Sequence, residues 1–144
     1  MEKIPIRNIT VIPDDTNLSE KFRIRTVQEL QKEQKLIQDT HRHDYYFILA
    51  LVKGSGQHTI DFISYDVTSH SIFFMRPGQV HQLSLKKGST GFLMQFSKDF
   101  YRPDNKSDKQ LLRSASNKNF CKLDLKKSEK LFNVLTNIHT EYKE

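Results

Sequence analysis

The chain has 144 residues, of which 36% are hydrophobic and 10% aromatic, so it has enough apolar material for one folded domain. The longest apolar run, residues 45–52, is too short to span a bilayer, and the N-terminus lacks the apolar region of a signal peptide. The single cysteine, Cys121, excludes an internal disulfide framework and is interpreted as a small hydrophobe. Together these features predict a cytoplasmic protein with no membrane partner.

The net charge of +6 is distributed unevenly. Residues 1–72 carry 9 Lys and Arg against 10 Asp and Glu, whereas residues 73–144 carry 14 against 7. A basic segment can favour a polyanion such as DNA, but it can also be a solvated, lysine-rich surface. We favour the solvated surface, because the lysines are not interleaved with stacking aromatics.

The first third of the chain is predicted to contain an arm, a strand and a connection. Residues 1–20, which include Pro5 and Pro13, have no clear periodicity and are predicted to form an N-terminal arm. Residues 22–26 alternate Phe, Ile and Thr with two arginines, which predicts a strand. The stretch QELQKEQKL that follows is rich in helix formers, and we interpret it as a polar connection.

The middle of the chain predicts a series of short strands. The apolar run 45–52 is typical of a strand buried on both faces, and Gly54-Ser55-Gly56 then predicts a tight turn. Gly or Pro turns separate the later segments at intervals of about ten residues, which predicts an all-β barrel or sandwich. The expected strands and their shared faces are 58–65 (His58, Ile60, Phe62), 71–75, 80–85 (His81, Leu83, Leu85) and 91–97 (Phe92, Met94, Phe96).

The last third of the chain changes to a helical period. The stretch SDKQLLRSA predicts a short helix that opens at Ser107. From Asp124 onward, apolar residues recur at steps of four, three and four, which predicts an amphipathic helix. This stripe either docks on the barrel or pairs with the same helix of a second subunit. The pattern reaches Glu144 without a Gly cap or a Pro stop, so we expect the natural polypeptide to continue. The stripe residues are Leu131, Leu135, Ile138 and Tyr142.

The histidines are the main candidates for chemistry. His41 and His43 share a face if their segment is extended, and His81 can meet them from a neighbouring strand. Three imidazoles with an open position can form a catalytic metal site. The alternative, which spacing alone favours, is that they are hydrogen-bonded pocket or core residues.

Other catalytic signals are weak. The sequence has no G-x-S-x-G elbow, no Walker loop and no G-x-G-x-x-G motif, and Gly54 and Gly56 lie in a predicted hairpin that opens no helix. Arg23, Arg25 and Arg76 are either polar anchors for an anionic or hydroxylated ligand or ordinary surface residues of strands.

Three segments together resemble the N-terminal cupin-like domain of AraC-type transcription regulators. They are HRHDYYFILALVKGSGQHTIDF, HSIFFMRPGQVHQL and GFLMQFSKDF, and the resemblance covers about residues 20–100. The terminal KLFNVLTNIHTEY looks like the helix that dimerises in such regulators. The resemblance implies a mainly β, cupin-like (double-stranded β-helix, or jelly-roll) barrel at 21–100, followed by C-terminal α-helices at 101–144 that dimerise and link.

The resemblance also implies a function and a set of site residues. We expect a domain that senses a small-molecule effector, with a sugar as one candidate, and that acts on DNA only through a helix-turn-helix region beyond the chain end. In sugar-responsive relatives an N-terminal arm closes over the ligand. The expected role is regulatory rather than enzymatic, without a cofactor, and the protein is expected to form a homodimer through Leu131, Leu135, Ile138 and Tyr142. The expected effector-binding residues are His41, His43, Tyr45, His58 and His81.

Metal-binding cupins provide the alternative function. They place an acidic ligand four residues after the second histidine, and here that position is Phe47. His81 matches their third histidine, but Leu85 stands where an Asn commonly follows. The loss of the acidic ligand weighs against a metal, because a less charged site holds a divalent ion less firmly. A metal-dependent cupin enzyme using His41, His43 and His81 stays the alternative.

Overall fold

The computed structural model of the chain describes residues 4, 6–7, 21–101 and 103–143, which form ten strands and three helices. The predicted N-terminal arm, residues 1–20, therefore lies largely outside the described residues. The strands are β1 (Ile6–Arg7), β2 (Phe22–Thr26), β3 (Ile37–His43), β4 (Tyr46–Lys53), β5 (Gly56–Ile60), β6 (Ile63–Val67), β7 (Ser71–Met75), β8 (Val80–Leu85), β9 (Thr90–Phe96) and β10 (Phe120–Lys122). The helices are α1 (Val27–Lys32), α2 (Lys106–Asn117) and α3 (Leu125–Lys143).

The strands form two five-stranded sheets within the described part of the chain. The first sheet has the order β1-β3-β8-β5-β6 and the second the order β10-β7-β4-β9-β2. Pairing is antiparallel throughout these strands except between β1 and β3. From β3 to β9 the chain passes repeatedly from one sheet to the other, which is the jelly-roll pattern of a cupin barrel. The predicted fold class, a cupin-like barrel followed by helices, is confirmed.

The main core lies between the two sheets. Strand β4 contributes Phe47, Leu49 and Leu51 to it, and the first sheet contributes residues such as Ile60 and Leu83. All five side chains are buried, as expected for the inward positions of alternating strands. The second sheet thus covers the side chains that the first sheet directs inward.

The outer face of the second sheet is also apolar, and α3 packs on it. Leu135 is buried against Ile24 and Ala50, and Leu131, Ile138 and Tyr142 pack around this contact. The predicted strand 45–52 is therefore buried on its inner face and, on its outer face, at Ala50, whereas Ile48 is half-buried and Val52 is exposed. The helical stripe takes the first of its two alternatives by docking on its own barrel. Contact with a second subunit stays a prediction.

The polar connection expected after β2 was wrong, because residues 27–32 form the helix α1. The Thr26 hydroxyl accepts a hydrogen bond from the backbone N–H of Glu29 at 3.0 Å, and the Glu29 carboxylate accepts one from the backbone N–H of Thr26 at 3.1 Å. This capping box satisfies two N–H groups at the helix start, and Val27 and Leu30 are buried beneath it.

The single strand expected at 58–65 is a hairpin of β5 and β6 instead. Asp61 and Phe62 have φ angles of 49° and 67°, and Ile60 pairs with Ile63 across the two-residue turn. Positive φ at both turn residues matches the right-handed twist of the strands. Phe62 is consequently 77% exposed and does not share a face with His58.

The expected start of α2 at Ser107 is also wrong. Asn105 is the capping residue, and its side-chain oxygen accepts a hydrogen bond from the backbone N–H of Asp108 at 2.7 Å. The described helices include none that is long and apolar enough to cross a membrane.

Candidate functional site

A bulge in β3 brings the first two histidines to the inside of the barrel. Gln38 pairs with Leu83 and His41 pairs with His81, so β3 has one more residue than β8 over this interval. Leu36 and His41 are an odd number of residues apart, yet both are buried, whereas Ile37 is 71% exposed. The extra residue moves the side chains that follow it in β3 to the opposite face of the sheet from the one that simple alternation would give. It also places His41 directly opposite His81.

His41, His43 and His81 form a compact trio of buried imidazoles. The Nε2 atoms of His41 and His43 are 3.0 Å apart, and those of His43 and His81 are 2.6 Å apart. The third distance, between His81 and His41, is 2.9 Å. All three side chains are buried. The convergence predicted from the sequence is therefore what the strands produce.

The surroundings of His41 determine which of its ring nitrogens carries the hydrogen. Its Nδ1 lies within hydrogen-bond distance of the backbone carbonyl of Asp39, in the bulge. A carbonyl oxygen only accepts, so Nδ1 of His41 carries the hydrogen. The neutral ring then has its lone pair at Nε2, directed at the other two histidines.

His58, from β5, extends the trio on the other side of His81. Its Nε2 is 2.7 Å from His81 Nδ1, and its ring lies 4.6 Å from that of Phe73. Burial, with a smaller electrostatic contribution from His41, lowers the pKa of His58 to about 3. Desolvation of the charged form is the dominant cause. His58 is therefore a neutral ring at physiological pH.

The tautomer of His58 follows from its second nitrogen. Nδ1 of His58 is buried and has no hydrogen-bond partner among the described residues. A buried N–H without a partner is rarer than an unsatisfied acceptor, so the hydrogen belongs on Nε2, from which His58 donates to His81. Neutral His81 then carries its own hydrogen on Nε2, directed into the trio.

Two aromatic rings of one segment close the site. The Tyr45 ring lies 4.5 Å from that of His43, and its hydroxyl accepts a hydrogen bond from the Gln95 amide at 3.2 Å. Phe47 stacks on His43 at 5.2 Å and meets the edge of His81 at 4.9 Å. The structure thus brings all five predicted effector-binding residues together, and Phe47 touches the histidines where metal-binding cupins keep a carboxylate.

The trio has the donor chemistry of a metal site. One ligand atom from each histidine lies within 4.8 Å of the other two. Zinc–nitrogen bonds of about 2.0–2.1 Å at tetrahedral angles would separate the three nitrogens by about 3.3 Å, so the rings would move apart slightly to admit an ion. His41, His43 and His81 therefore fit an ion that favours imidazole, such as zinc, copper, iron or nickel.

A polar network that was not predicted from the sequence positions His81. The buried Gln79 amide donates to Asp61 Oδ2 at 2.7 Å, and Asp61 Oδ1 accepts from the backbone N–H of Val80 at 3.0 Å. Gln79 and Asn119 also exchange amide hydrogen bonds of 2.8 and 3.0 Å. A polar Gln beside the Pro-Gly turn is the signal for this role, but its partner is 40 residues away and gives no sequence signal.

Comparison with known proteins places these features in a family. The family model for the AraC-like ligand binding domain matches residues 26–143. A comparison with curated proteins finds no match.

Several solved structures are similar in part. A cupin protein from Bacteroides fragilis is 20% identical over 60% of this chain and 73% of its own, with a TM-score of 0.41. ToxT from Vibrio cholerae is 14% identical over 80% of this chain and 47% of its own, with a TM-score of 0.46. Oxalate decarboxylase (W96F) from Bacillus subtilis is 16% identical over 72% of this chain and 38% of its own, with a TM-score of 0.39. The region matched in ToxT is thus about half of that protein.

Proposed function

The chain belongs to the family of AraC-like ligand-binding domains, and we propose that it senses a small-molecule effector inside the barrel and controls an attached DNA-binding region. The observation that carries the proposal is the group of four buried histidines and Tyr45 within an otherwise apolar core. Buried polar groups are costly unless they are satisfied, and such clusters concentrate at binding sites. Imidazole donors and acceptors beside aromatic rings suit a compact, hydroxylated organic ligand.

Strand β4 offers a route from this site to the helices. Phe47 on its inner face contacts His43 and His81, whereas Ala50, three residues on, contacts Leu135 of α3 from the outer face. An effector that moves Phe47 would therefore act on the surface that carries α3. The effector would bias the output only if its affinity differs between the two arrangements of this strand.

A ligand panel tests the proposal. We expect one chemical class among sugars, polyols and small aromatic acids to raise the melting temperature of the protein, because a ligand that binds only the folded state stabilises it. The variant His43→Phe keeps an aromatic ring but removes its nitrogens, so it should lose that shift. His139→Phe, on the half-exposed side of α3, is the matched control and should keep it. The sensor proposal fails if no class shifts the wild type, or if both variants respond alike.

A bound metal is the second candidate, supported by the convergence of the three Nε2 atoms. The ion would be held by His41, His43 and His81 and would supply Lewis-acid chemistry or cross-link β3 to β8. Two features oppose it. Phe47 replaces the carboxylate, and His81 would have to lose its Nε2 hydrogen, which leaves His58 with a buried, unpartnered Nδ1–H. We therefore favour a regulator over a metal-dependent enzyme.

Elemental analysis separates these candidates. A metal-dependent protein should purify with about one equivalent of metal, and chelation should lower its melting temperature. His81→Ala should then abolish the metal content. If the wild type holds far less than one equivalent and chelation has no effect, the metal hypothesis is wrong, and the ligand panel decides the sensor hypothesis by itself.

We further propose that the protein works as a cytoplasmic homodimer. Leu131, Leu135, Ile138 and Tyr142 pack on their own sheet, so substituting them would test the fold rather than the dimer. Val134 is 53% exposed at the edge of this packed stripe and is the better probe. If α3 also pairs between subunits, Val134→Asp should yield monomers in sedimentation experiments, and Lys126→Asp should not. A dimer that survives Val134→Asp would locate the contact elsewhere.

A further inference from the structure

The outer face of the second sheet has an apolar row at its centre that the described residues cover only in part. Ile48 of β4 pairs directly with Phe74 of β7 on one side and with Met94 of β9 on the other. These are the three central strands of the sheet, yet all three side chains are only half-buried. Helix α3 covers the neighbouring part of this face, around Ala50 and Phe92, and Met94 packs at the edge of that contact, whereas Ile48 and Phe74 lie outside it.

Two helices turn this row into a groove. Helix α2 supplies one wall with Leu111, Leu112 and Ala115, and α3 supplies Ile138 on another side. The groove has a volume of about 550 Å³. Small-molecule sites typically measure about 300–1,000 Å³ and are lined mainly by apolar side chains. Leu111 is 67% exposed, so its side chain on the α2 wall is open to solvent.

One end of the groove is cationic. A second cavity of about 670 Å³ adjoins the groove, and Tyr101 and Leu112 line both. Among the described residues, its lining includes the cations Arg76, Lys98, Lys109 and Arg113 and one carboxylate, that of Asp104.

Arg76 is a fixed member of this cationic end. Its guanidinium donates to Asn117 Oδ1 at 3.0 Å and to the backbone carbonyl of Ser116 at 3.4 Å, both in the last turn of α2. An anchored guanidinium loses little freedom when it binds an anion. Lys109 and Arg113 lie one turn apart on the same helix and are both exposed.

We propose that this groove binds an amphipathic organic anion, with its apolar body over Ile48, Phe74 and Met94 and its anionic head among the cations at the end of the groove. The charge pattern selects this occupant, since an apolar trough that opens onto four cations complements a molecule with one apolar and one negative end. The groove lies on the opposite face of β4 from the histidines, so this proposal does not rest on the effector site inside the barrel.

Laurate below its micelle concentration is the probe, and titration calorimetry at low ionic strength is the measurement. Dodecanol has the same chain without the charge, and dodecyltrimethylammonium reverses the charge. We expect laurate to bind about tenfold or more tightly than dodecanol, and the cation to bind no better than the alcohol.

Paired variants test where laurate binds. Lys109→Glu with Arg113→Glu reverses two cations at the groove end and should weaken laurate binding about tenfold or more. Lys126→Glu with Lys130→Glu makes the same change of net charge on the exposed side of α3, and should leave binding within about twofold. Ala115→Met fills the groove and should weaken laurate and dodecanol alike.

Each other outcome overturns the proposal. If laurate does not bind, the proposal is wrong. If it loses affinity equally in both charge-reversal pairs, it responds only to the net charge of the protein. If the wild type is a dimer and Ala115→Met makes it monomeric, the groove is an interface between subunits. The His43→Phe variant, in contrast, is expected to bind laurate as the wild type does, because the histidines lie inside the barrel, on the other side of β4 from the groove. Loss of laurate binding in His43→Phe would mean that the groove and the site inside the barrel are not separate, and would overturn the proposal.

Discussion

The neutral, buried His58 predicts a specific sensitivity to acid. Its pKa is lowered to about 3 in the folded protein from an ordinary value of 6.5, mainly by burial. Below about pH 6.5 the unfolded chain therefore binds a proton at His58, whereas the folded chain does not. The free energy of unfolding consequently falls as the pH falls. The loss is about 1.4 kcal/mol per pH unit in this range, which gives about 2 kcal/mol between about pH 7 and pH 5.

The assay is urea unfolding of the wild type and of His58→Gln at both pH values, with excess chelator present. Glutamine is uncharged at either pH, and its amide N–H can still donate to His81. Comparing how much stability each protein loses cancels the cost of the substitution itself and isolates the titration of His58. We expect the wild type to lose about 2 kcal/mol more than His58→Gln. Equal losses would mean that the folded protein protonates His58 readily, and the argument from burial would be refuted.

Three further substitutions test the fold around the site by urea unfolding followed by circular dichroism. Gly91→Ala should destabilise by at least about 2 kcal/mol, because φ is +153° and the added Cβ would lie 2.1 Å from a carbonyl oxygen of β4; a cost below about half a kcal/mol would contradict this. Gln79→Ala should cost about 1–2 kcal/mol, because Asp61 and the half-buried Asn119 each lose a hydrogen-bond partner, and an unchanged midpoint would show that the network is dispensable. Thr26→Ala should cost about 1 kcal/mol through loss of the α1 cap, and Thr26→Ser should restore most of it.

The barrel strands were predictable because their alternation is local information. The boundaries of β7 and β8 match the expected segments 71–75 and 80–85, since a Pro-Gly turn separates two apolar runs there. The shared inward face of His41 and His43 also follows from a period of two. Local pattern therefore predicted that His41 and His43 share a face, and the pairing of β3 with β8 brought them together with His81.

The failures arise where long-range contacts or special backbone angles decide. The helix α1 is only six residues long, and its capping box and the burial of Leu30 stabilise it more than its composition does. The hairpin turn at Asp61 and Phe62 lacks the glycine that usually signals positive φ. The bulge in β3 has no glycine either, yet it determines that His41 rather than Thr40 faces the core.

Strand β4 explains why one run of residues carries two kinds of site. Its inner side chains touch the histidines, and its outer side chains form the floor of the groove and the support for α3. Because successive side chains take opposite faces, Phe47 and Ile48 are neighbours in the chain but belong to different environments. A ligand on either face would restrain the same backbone segment. If both sites are occupied in solution, linkage requires that each ligand changes the affinity for the other by the same factor.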